Sequence, residues 1–411
     1  KQCLFINVLL TSDPHIDPDY NQFIDKNDDP RFFCRDYKPW GEQKSLVPSG
    51  GFPYGQYGCD LPVKSYVEIA KQIDYTDIVA HLQLGDIAAH GPLSVESYMK
   101  SFKVFSESHN QGIPLVFSIG NNDMFPNNQL GSTFTDNDEA ENPVLASVLG
   151  NLTENKILKL NSSQQQTFLK GGYYSQTIQD LNVISLNTMM YAYDFLSQYE
   201  NVSDDPRGQL DFLRGQIQKF KTSEQQYTVM SHICPGINAF NGFQQIQQKY
   251  FDQIFAILSL HKPQQWLCGH THKDSFKSLH GVAILNAPGL SPNSYNNPAF
   301  RYLNFTNNTL KNYVQYFSSV QNANFIQKMT VKRHYSFTEQ YLGEPSAEYL
   351  LQLKAKMKVN PKLYARLYED SDLYYQDKRQ FYLCATETLT AEQYQDCVDI
   401  WAFNEVTQPK S

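Results

Sequence analysis

The chain has 411 residues, of which 41% are hydrophobic and 18% charged, and its formal net charge is −8. This length fits one large α/β domain with an appendage better than a single small core. The acidic balance argues against binding duplex nucleic acid through a broad basic face. No apolar run reaches the roughly 18 residues that a transmembrane helix needs.

The first 320 residues alternate short apolar runs with longer amphipathic stretches. Near-continuous apolar runs are typical of strands buried on both faces of a sheet. They predict strands over residues 4–10, 78–84, 115–119, 183–186, 228–230, 265–267 and 282–285. Helices are predicted over residues 63–73, 95–108, 208–221 and 244–261. A hairpin is expected to turn near Gln179, and the alternation as a whole predicts an α/β fold with helices on the sheet faces.

The pattern changes after residue 320, where strand alternation stops. Residues 345–359 and 361–370 each open with proline in the first turn and are predicted as helices, as are residues 391–402. We therefore predict a catalytic domain over residues 1–320 and a small helical C-terminal subdomain over residues 321–411.

Ligand-type side chains follow five of the predicted strands, each where the strand ends. In open α/β sheets, ligands bind beyond the carboxyl ends of strands, so these segments are expected to converge. Imidazole, carboxylate and amide groups favour zinc, iron or manganese over calcium. One carboxylate can bridge two ions about 3.5–4 Å apart, and such a pair can bind phosphate oxygens. The predicted metal ligands are Asp13, His15, Asp86, Asn121, His232, His270 and His272.

This ordered set resembles the calcineurin-like metallophosphoesterase superfamily, whose blocks run D-x-H, G-D-x-x-x-H or a variant, G-N-H-D/E, a lone His and G-H-x-H. Residues 13–20, residues 86–90, the Leu186-Asn187-Thr188 segment and the loop over residues 286–298 look like the acid sphingomyelinase-like phosphodiesterases within it. The resemblance covers essentially the whole chain. It implies two mixed sheets flanked by helices, and a phosphoric diester hydrolase with two divalent metal ions, usually zinc.

The resemblance also implies a role for each residue of the set. Asp13, His15 and His272 would hold one ion. Asn121, His232 and His270 would hold the other, with Asp86 bridging the two. His90 matches the histidine that protonates the leaving-group oxygen, a role that suits an imidazole at neutral to acidic pH.

One position departs from the family pattern. The family has Gly-Asn-His, whereas this chain has Gly120-Asn121-Asn122. An asparagine at residue 122 can donate a hydrogen bond to an oxyanion, but it supplies neither a proton nor a positive charge. Three interpretations follow: a slow enzyme, an enzyme that relies on His90 alone, or a metal-holding protein with a non-catalytic role.

The cysteines and glycosylation motifs indicate the secretory route. Cys34–Cys59 and Cys384–Cys397 are candidate disulfides in an oxidising compartment. Cys3, Cys234 and Cys268 lie in or beside predicted strands and are expected to be buried thiols. The candidate N-glycosylation sites are Asn151, Asn161, Asn201, Asn304 and Asn307.

The leading hypothesis is a secreted, extracellular or lysosome-type phosphodiesterase that acts on a nucleotide-like or phosphocholine-type small molecule. The alternative is a catalytically impaired extracellular glycoprotein that retains a structural metal site. No saposin-like segment precedes Asp13 in this sequence. In this respect the chain resembles the smaller relatives, and the resemblance implies a soluble phosphodiester substrate. A phosphomonoesterase of the purple acid phosphatase kind is disfavoured, because residues 87–89 offer no tyrosine ligand.

Overall fold

The structure is a computed structural model that describes residues 5–25, 34–36, 49–110, 112–126, 128–130, 141–154, 157–196, 199, 202–239, 241–367 and 379–407. The strands are β1 (Phe5–Thr11), β2 (Ile16–Asp17), β3 (Leu61–Pro62), β4 (Ile78–Gln83), β5 (Leu115–Phe117), β6 (Tyr174–Ile178), β7 (Leu181–Leu186), β8 (Thr228–Ser231), β9 (Gln265–Cys268), β10 (Ser275–Leu279), β11 (Val282–Asn286), β12 (Ala299–Thr306), β13 (Thr309–Phe317) and β14 (Lys332–Ser336). The helices are α1 (Val63–Ala70), α2 (Val95–Ser108), α3 (Pro143–Glu154), α4 (Ser162–Gly171), α5 (Tyr193–Leu196), α6 (Gln209–Thr222), α7 (Gln248–Leu258), α8 (Val320–Ile326), α9 (Phe337–Tyr341), α10 (Ala347–Val359), α11 (Pro361–Ala365), α12 (Arg379–Ala385) and α13 (Ala391–Thr407).

The first sheet has the strand order β14-β13-β12-β1-β4-β5. Strands β1, β4 and β5 run parallel to one another, and β12 to β14 extend the sheet through antiparallel pairs. β1 is therefore central, and its side chains from Val8 to Leu10 are almost fully buried. The near-continuous apolar run that predicted this strand reflects burial on both of its faces.

The second sheet has the order β10-β11-β9-β8-β7-β6. Strands β7, β8, β9 and β11 are parallel, and β6 and β10 close the two edges as antiparallel partners. The β6–β7 hairpin turns at Gln179, which has a φ of 52°. Both sheets are mixed and flanked by helices, which confirms the predicted fold.

The two sheets contact each other through buried polar side chains as well as apolar ones. The Tyr174 hydroxyl on β6 donates to the Phe117 carbonyl on β5 at 2.9 Å and accepts from the Phe117 N–H at 2.7 Å. The Ser118 and Ser185 hydroxyls meet at 2.8 Å. Because these contacts join β5 to β6 and β7, they fix how the ends of the two sheets meet.

The carboxyl ends of β1, β4, β5, β8 and β9 all lead into the segments predicted to carry ligands. Three of these strands lie in the first sheet and two in the second. The two sheets therefore supply the two halves of one site.

The C-terminal section is mostly helical, as expected, with α10, α11 and α13 near their predicted positions. It also contains β14, which the sequence did not predict and which pairs with β13 in the first sheet. Helix α11 ends at Ala365, before the predicted end at residue 370. Helix α10 contacts β10 and β11 of the second sheet. The division at residue 320 stays a prediction, because strand pairing crosses it.

Three disulfides join described cysteines, Cys34–Cys59, Cys234–Cys268 and Cys384–Cys397. The first and third were expected. The prediction that Cys234 and Cys268 are thiols is wrong, because β8 and β9 are adjacent and bring their Cα atoms to 5.3 Å. Cys3 lies outside the described residues.

Within the described part of the chain, no helix combines the length and apolarity that crossing a membrane requires.

Candidate metal centre

Five of the predicted ligands lie on strained turns after strands, and two of them, His270 and His272, have φ angles of 73° and 58°. Asp13, His15 and Asp86 have φ angles of 47°, 36° and 57°, in the left-handed region that side chains other than glycine rarely adopt. Backbone hydrogen bonds hold them there, from the Asp13 N–H to the Gly85 carbonyl at 3.1 Å and from the His15 N–H to the Asp86 carbonyl at 3.0 Å. Strain of this kind is typical of functional sites.

Asp13, His15 and His272 form the first cluster of potential metal ligands, with one ligand atom from each within 4.8 Å of the others. The Nε2 atoms of His15 and His272 are 3.1 Å apart. The Asp13 Oδ1 atom is 3.5 Å from His272 Nε2 and 4.0 Å from His15 Nε2. The side chains from the first and last predicted blocks therefore meet at one point.

Asp86, His232 and His270 form the second cluster within the same 4.8 Å limit. The Asp86 Oδ2 atom lies 3.1 Å from His232 Nε2. The Asn121 Oδ1 atom adds a fourth ligand, which is the second oxygen of the cluster, 3.0 Å from the same Nε2 atom. This is the residue set predicted for the second ion.

Asp86 lies between the two clusters. Its Oδ2 atom is 3.4 Å from His15 Nε2 of the first cluster and 3.1 Å from His232 Nε2 of the second. All seven predicted ligands are thus brought together, with Asp86 in the position of a bridging carboxylate.

The ring nitrogens that point away from the centre are held by backbone carbonyls. His15 Nδ1 lies 3.0 Å from the Ala88 carbonyl, and His232 Nδ1 lies 2.7 Å from the Leu84 carbonyl. When Nδ1–H donates to a carbonyl in this way, Nε2 carries the lone pair and can bind a metal ion. Hydrogen bonds of this kind also fix the orientation of metal-ligating histidine rings.

Asp123 and Gly120 shape the backbone around Asp86. The Asp123 carboxylate accepts the N–H groups of Asp86, Ile87 and Gly120 at 2.7, 2.7 and 2.8 Å. A Cβ atom on Gly120 would overlap the Asp86 carboxylate and its backbone nitrogen. Glycine is needed here because the Asp86 carboxylate packs directly against the backbone.

The electrostatics of the site fit a cation. Burial raises the pKa of the Asp13 carboxyl to about 7 and lowers the pKa of the His15 and His270 imidazoles to about 4 and about 3. Among the described residues, the ion-pair partners of Asp13 and Asp86 are histidines alone. Burial alone would lower the pKa of the His232 imidazole, but the Asp86 carboxylate outweighs it and raises that pKa to about 9. A bound cation would replace the His232 proton and favour the ionised form of both carboxylates.

His90 lies beside the centre and is supported by a residue that the sequence reasoning missed. Its ring stacks on the His15 ring with centroids 3.9 Å apart, and its side chain is 29% exposed. Its Nδ1 atom is 2.8 Å from Asp60 Oδ1, and the Asp60 Oδ2 atom accepts the His90 N–H at 2.7 Å. Burial alone would lower the pKa of His90, but the Asp60 carboxylate outweighs it and raises that pKa.

Arg35 completes the support of His90. Its Nη1 atom donates to the His90 carbonyl at 2.9 Å, and its Nη2 atom is 3.7 Å from Asp60 Oδ2. Its Nε atom donates to Asp17 Oδ2 at 2.8 Å. Arg35 and Asp60 both lie next to the cysteines of one disulfide, and only that proximity to Cys34 and Cys59 could have drawn attention to them.

Asn122, at the position that departs from the family pattern, is buried against Asp86. Its backbone N–H donates to Asp86 Oδ1 and its Nδ2 atom to Asp86 Oδ2, both at 2.8 Å. In this arrangement the amide orients the central carboxylate, a role that the sequence reasoning did not assign to it.

Comparisons with known proteins agree with this geometry. The profile of the calcineurin-like phosphoesterase family matches residues 6–274, which include all seven candidate ligands. "Sphingomyelinase phosphodiesterase D" of Dictyostelium discoideum is 25% identical over 72% of this chain and 67% of its own length. "Acid sphingomyelinase-like phosphodiesterase 3b" of Mus musculus is 23% identical over 94% of this chain and 88% of its own.

Other matches are more partial. "Sphingomyelin phosphodiesterase" of Bos taurus is 24% identical over 68% of this chain, which spans 44% of the bovine protein. Among solved structures, a dimetal phosphatase from Danio rerio is 11% identical, covers 75% of this chain and 95% of its own, and has a TM-score of 0.40. The relatives confirm the resemblance to the acid sphingomyelinase-like group. Since the family profile matches well over half of its residues, the chain belongs to the calcineurin-like phosphoesterase family.

Proposed function

We propose that this protein is a dinuclear-metal phosphodiesterase that hydrolyses a P–O bond in a nucleotide-like or phosphocholine-type small molecule. The observation that carries the proposal is the position of Asp86, whose Oδ2 atom lies within 3.4 Å of an imidazole nitrogen from each cluster. The names of the relatives, which include sphingomyelin phosphodiesterases, support a phosphodiester substrate.

The proposed ligand sets follow the two clusters. Asp13, His15, Asp86 and His272 would hold one ion, and Asp86, Asn121, His232 and His270 the other. The mixed imidazole, carboxylate and amide donors suit zinc. Two such ions, when bound, supply Lewis acidity toward the phosphoryl oxygens and lower the pKa of water.

The protein's own groups would then orient the substrate and move one proton. His90 would donate the proton on Nε2 to the leaving-group oxygen as the P–O bond breaks, while Asp60 holds the proton on Nδ1 and fixes the ring. Asn122 would hold the Asp86 carboxylate between the clusters through its two hydrogen bonds.

The test is hydrolysis of bis-p-nitrophenyl phosphate and of nucleoside triphosphates by zinc-loaded protein. His232→Ala serves as the control, and elemental analysis measures the metal in both preparations. We expect turnover by the unmodified chain and its near loss in the variant. If the unmodified chain binds metal but shows no turnover above His232→Ala, the proposed activity is wrong.

The second candidate, a catalytically impaired glycoprotein with a structural metal site, is favoured by one observation, the asparagine at residue 122. Asn122→His distinguishes the two candidates. A large rate increase with unchanged metal content would show a working site limited at one position. Full metal occupancy with no turnover in either protein would favour the structural role.

The proposed location is secreted, extracellular or lysosome-like. Three disulfides among the described cysteines support it, because such bonds persist in oxidising compartments.

Asn161 and Asn307 are exposed and suited to carry glycans, whereas Asn151 is buried on α3 and Asn304 Nδ2 donates to Asn7 Oδ1. Asn201 lies outside the described residues. Mass loss on enzymatic deglycosylation of protein from secreting cells would test this.

A further inference from the structure

A cleft of about 470 Å³ opens beside the candidate metal centre. One of its walls is the His270 ring, and the other walls come from β10, from the loop around Gln245 and from the short helical turn Pro292–Ser294. Because it begins at a candidate ligand, a substrate bound at the centre can extend into it.

Lys277 on β10 lines this cleft and is 7% exposed. Its Nζ atom donates to the Pro235 carbonyl at 3.0 Å and to Gln245 Oε1 at 3.2 Å. An ammonium group has three protons, so these two acceptors leave one for a ligand.

Two further donors lie along the same cleft. Lys273 also lines it and donates to the Ser294 carbonyl. The buried Gln245 Nε2 atom has no hydrogen-bond partner within the part of the chain that the structure describes. A buried amide nitrogen in this state is a donor that awaits an acceptor.

The charge of the cleft has one sign. Its described lining includes two ammonium groups, those of Lys273 and Lys277, and no aspartate or glutamate. Burial lowers the pKa of the Lys277 ammonium to about 7, and no carboxylate offsets this. An anion in the cleft would supply the missing partner and return that pKa toward its ordinary range.

We propose that this cleft binds a second anionic phosphate group of the substrate, next to the phosphodiester held at the metal centre. The assignment deepens the proposed function and rests on it. It selects a substrate with a further phosphate, such as a nucleoside triphosphate, over a phosphocholine ester. Phe276, Tyr295 and Tyr382 also line the cleft and could pack on a trimethylammonium group, but two lysine ammoniums would repel that cation.

The direct test measures binding without turnover. Zinc-loaded protein is titrated with phosphocholine, with inorganic triphosphate, and with a nucleoside triphosphate whose scissile oxygen is replaced by methylene. Elemental analysis afterwards confirms that the metal is retained. We expect both triphosphates to bind more tightly than phosphocholine, and Lys277→Met to weaken only that preference, by about tenfold to a hundredfold, the range for a lost charge-assisted hydrogen bond.

Two further variants complete the experiment. Lys273→Met tests the cleft independently and should reduce the same preference. Lys221→Met is the control. It removes an exposed lysine near the end of α6, before the start of β8, and should leave the binding preference unchanged. Tight binding of inorganic triphosphate alone would assign the cleft to polyphosphate, whereas a further gain from the nucleoside would assign it to nucleotides.

The kinetic test compares kcat/KM for a nucleoside triphosphate with that for bis-p-nitrophenyl phosphate, and Lys277→Met should lower the ratio about tenfold. Equal loss on both substrates, or phosphocholine binding as tightly as triphosphate, would overturn the subsite. Failure of the unmodified chain to hydrolyse either substrate would instead reject the proposed activity, and the titrations would still decide the subsite.

Discussion

The Nδ1 atom of His90 lies 2.8 Å from the Oδ1 atom of Asp60, while the His90 ring stacks on the His15 ring at 3.9 Å. The Asp60 carboxylate thus fixes the ring of His90, the proposed general acid, and the same ring contacts the candidate metal ligand His15. Asp60 belongs to neither cluster of the centre that we propose to bind metal, so its contribution can be separated from metal binding.

We expect Asp60→Asn to lower kcat on a diester with a poor, alkyl-type leaving group by about tenfold to a hundredfold, within the range of general-acid effects. The loss should be smaller on bis-p-nitrophenyl phosphate, whose leaving group needs little protonation. The matched control is Asp36→Asn, at an exposed residue that follows Arg35 in sequence and whose carboxylate accepts from Asn21 Nδ2 at 2.8 Å. Reduced metal content in Asp60→Asn, or equal losses on both substrates, would contradict the assigned role.

A methyl group at residue 120 tests whether the position of Asp86 determines metal binding. In Gly120→Ala the new Cβ would displace the Asp86 carboxylate and backbone nitrogen. We expect fewer than two metal ions per chain and a loss in kcat/KM of about a hundredfold, as for small misplacements of reacting groups. Gly215→Ala on the exposed face of α6, where no atom lies within 4 Å, should keep its metal and gain about 1 kcal/mol of stability. Two ions in Gly120→Ala would show that the carboxylate tolerates displacement.

Because Lys277 is buried, we expect its effect on the stability of the folded chain to depend on pH. Burial lowers its pKa from the ordinary 10.5 to about 7. Below pH 7 the ammonium is charged in both the folded and the unfolded chain, so the folded chain carries the full free-energy cost of burying the charge. This cost decreases as pH rises from 7 toward 10.5, because the buried amine is then neutral. His270, Lys273, Tyr295 and Tyr382 are the other ionisable groups lining the cleft, and none is a carboxylate.

Lys277→Met should therefore raise the melting temperature at pH 6 and do so much less at pH 9.5. Each kcal/mol recovered corresponds to roughly 1 °C for a chain of 411 residues, because the unfolding entropy is about 2.1 cal/mol/K per residue. Differential scanning calorimetry of the zinc-loaded protein measures both values, with Lys221→Met as the surface control. A gain of the same size at both pH values would show that the lysine is not a buried charge.

The disulfides predict a thiol count. The chain has seven cysteines, and the three described disulfides use six of them. Titration with a thiol reagent under denaturing, non-reducing conditions should find one thiol per chain, and seven after reduction. Three thiols would restore the sequence-based expectation for Cys234 and Cys268.

Much of the site could be predicted because each ligand follows a strand in sequence. Asp13, Asp86 and Asn121 need only their own strand and the rule that parallel strands deliver their carboxyl ends to one edge. The order of the strands did not have to be known. The same local reasoning placed α2 at Val95–Ser108, where an amphipathic run begins after the N-cap serine at residue 94.

What the sequence did not predict depends on contacts between distant segments. Asp60 lies in a Pro/Gly-rich stretch, and only the fold places it against His90. Pairing of Cys234 with Cys268 depends on β8 lying beside β9. β14 is a short edge strand with two exposed residues, so its sequence carries little signal before β13 provides a partner.

The Cys34–Cys59 bond has a consequence for how the protein matures. Each of these cysteines is followed directly by a residue that supports His90, Arg35 in one case and Asp60 in the other. The proposed metal ligands lie on other segments. A newly made, still reduced chain is therefore expected to be a latent precursor that can load its ions but has a poorly fixed proton donor. Export and oxidation would then switch on turnover, which would keep the hydrolase silent toward phosphate compounds inside the cell that makes it.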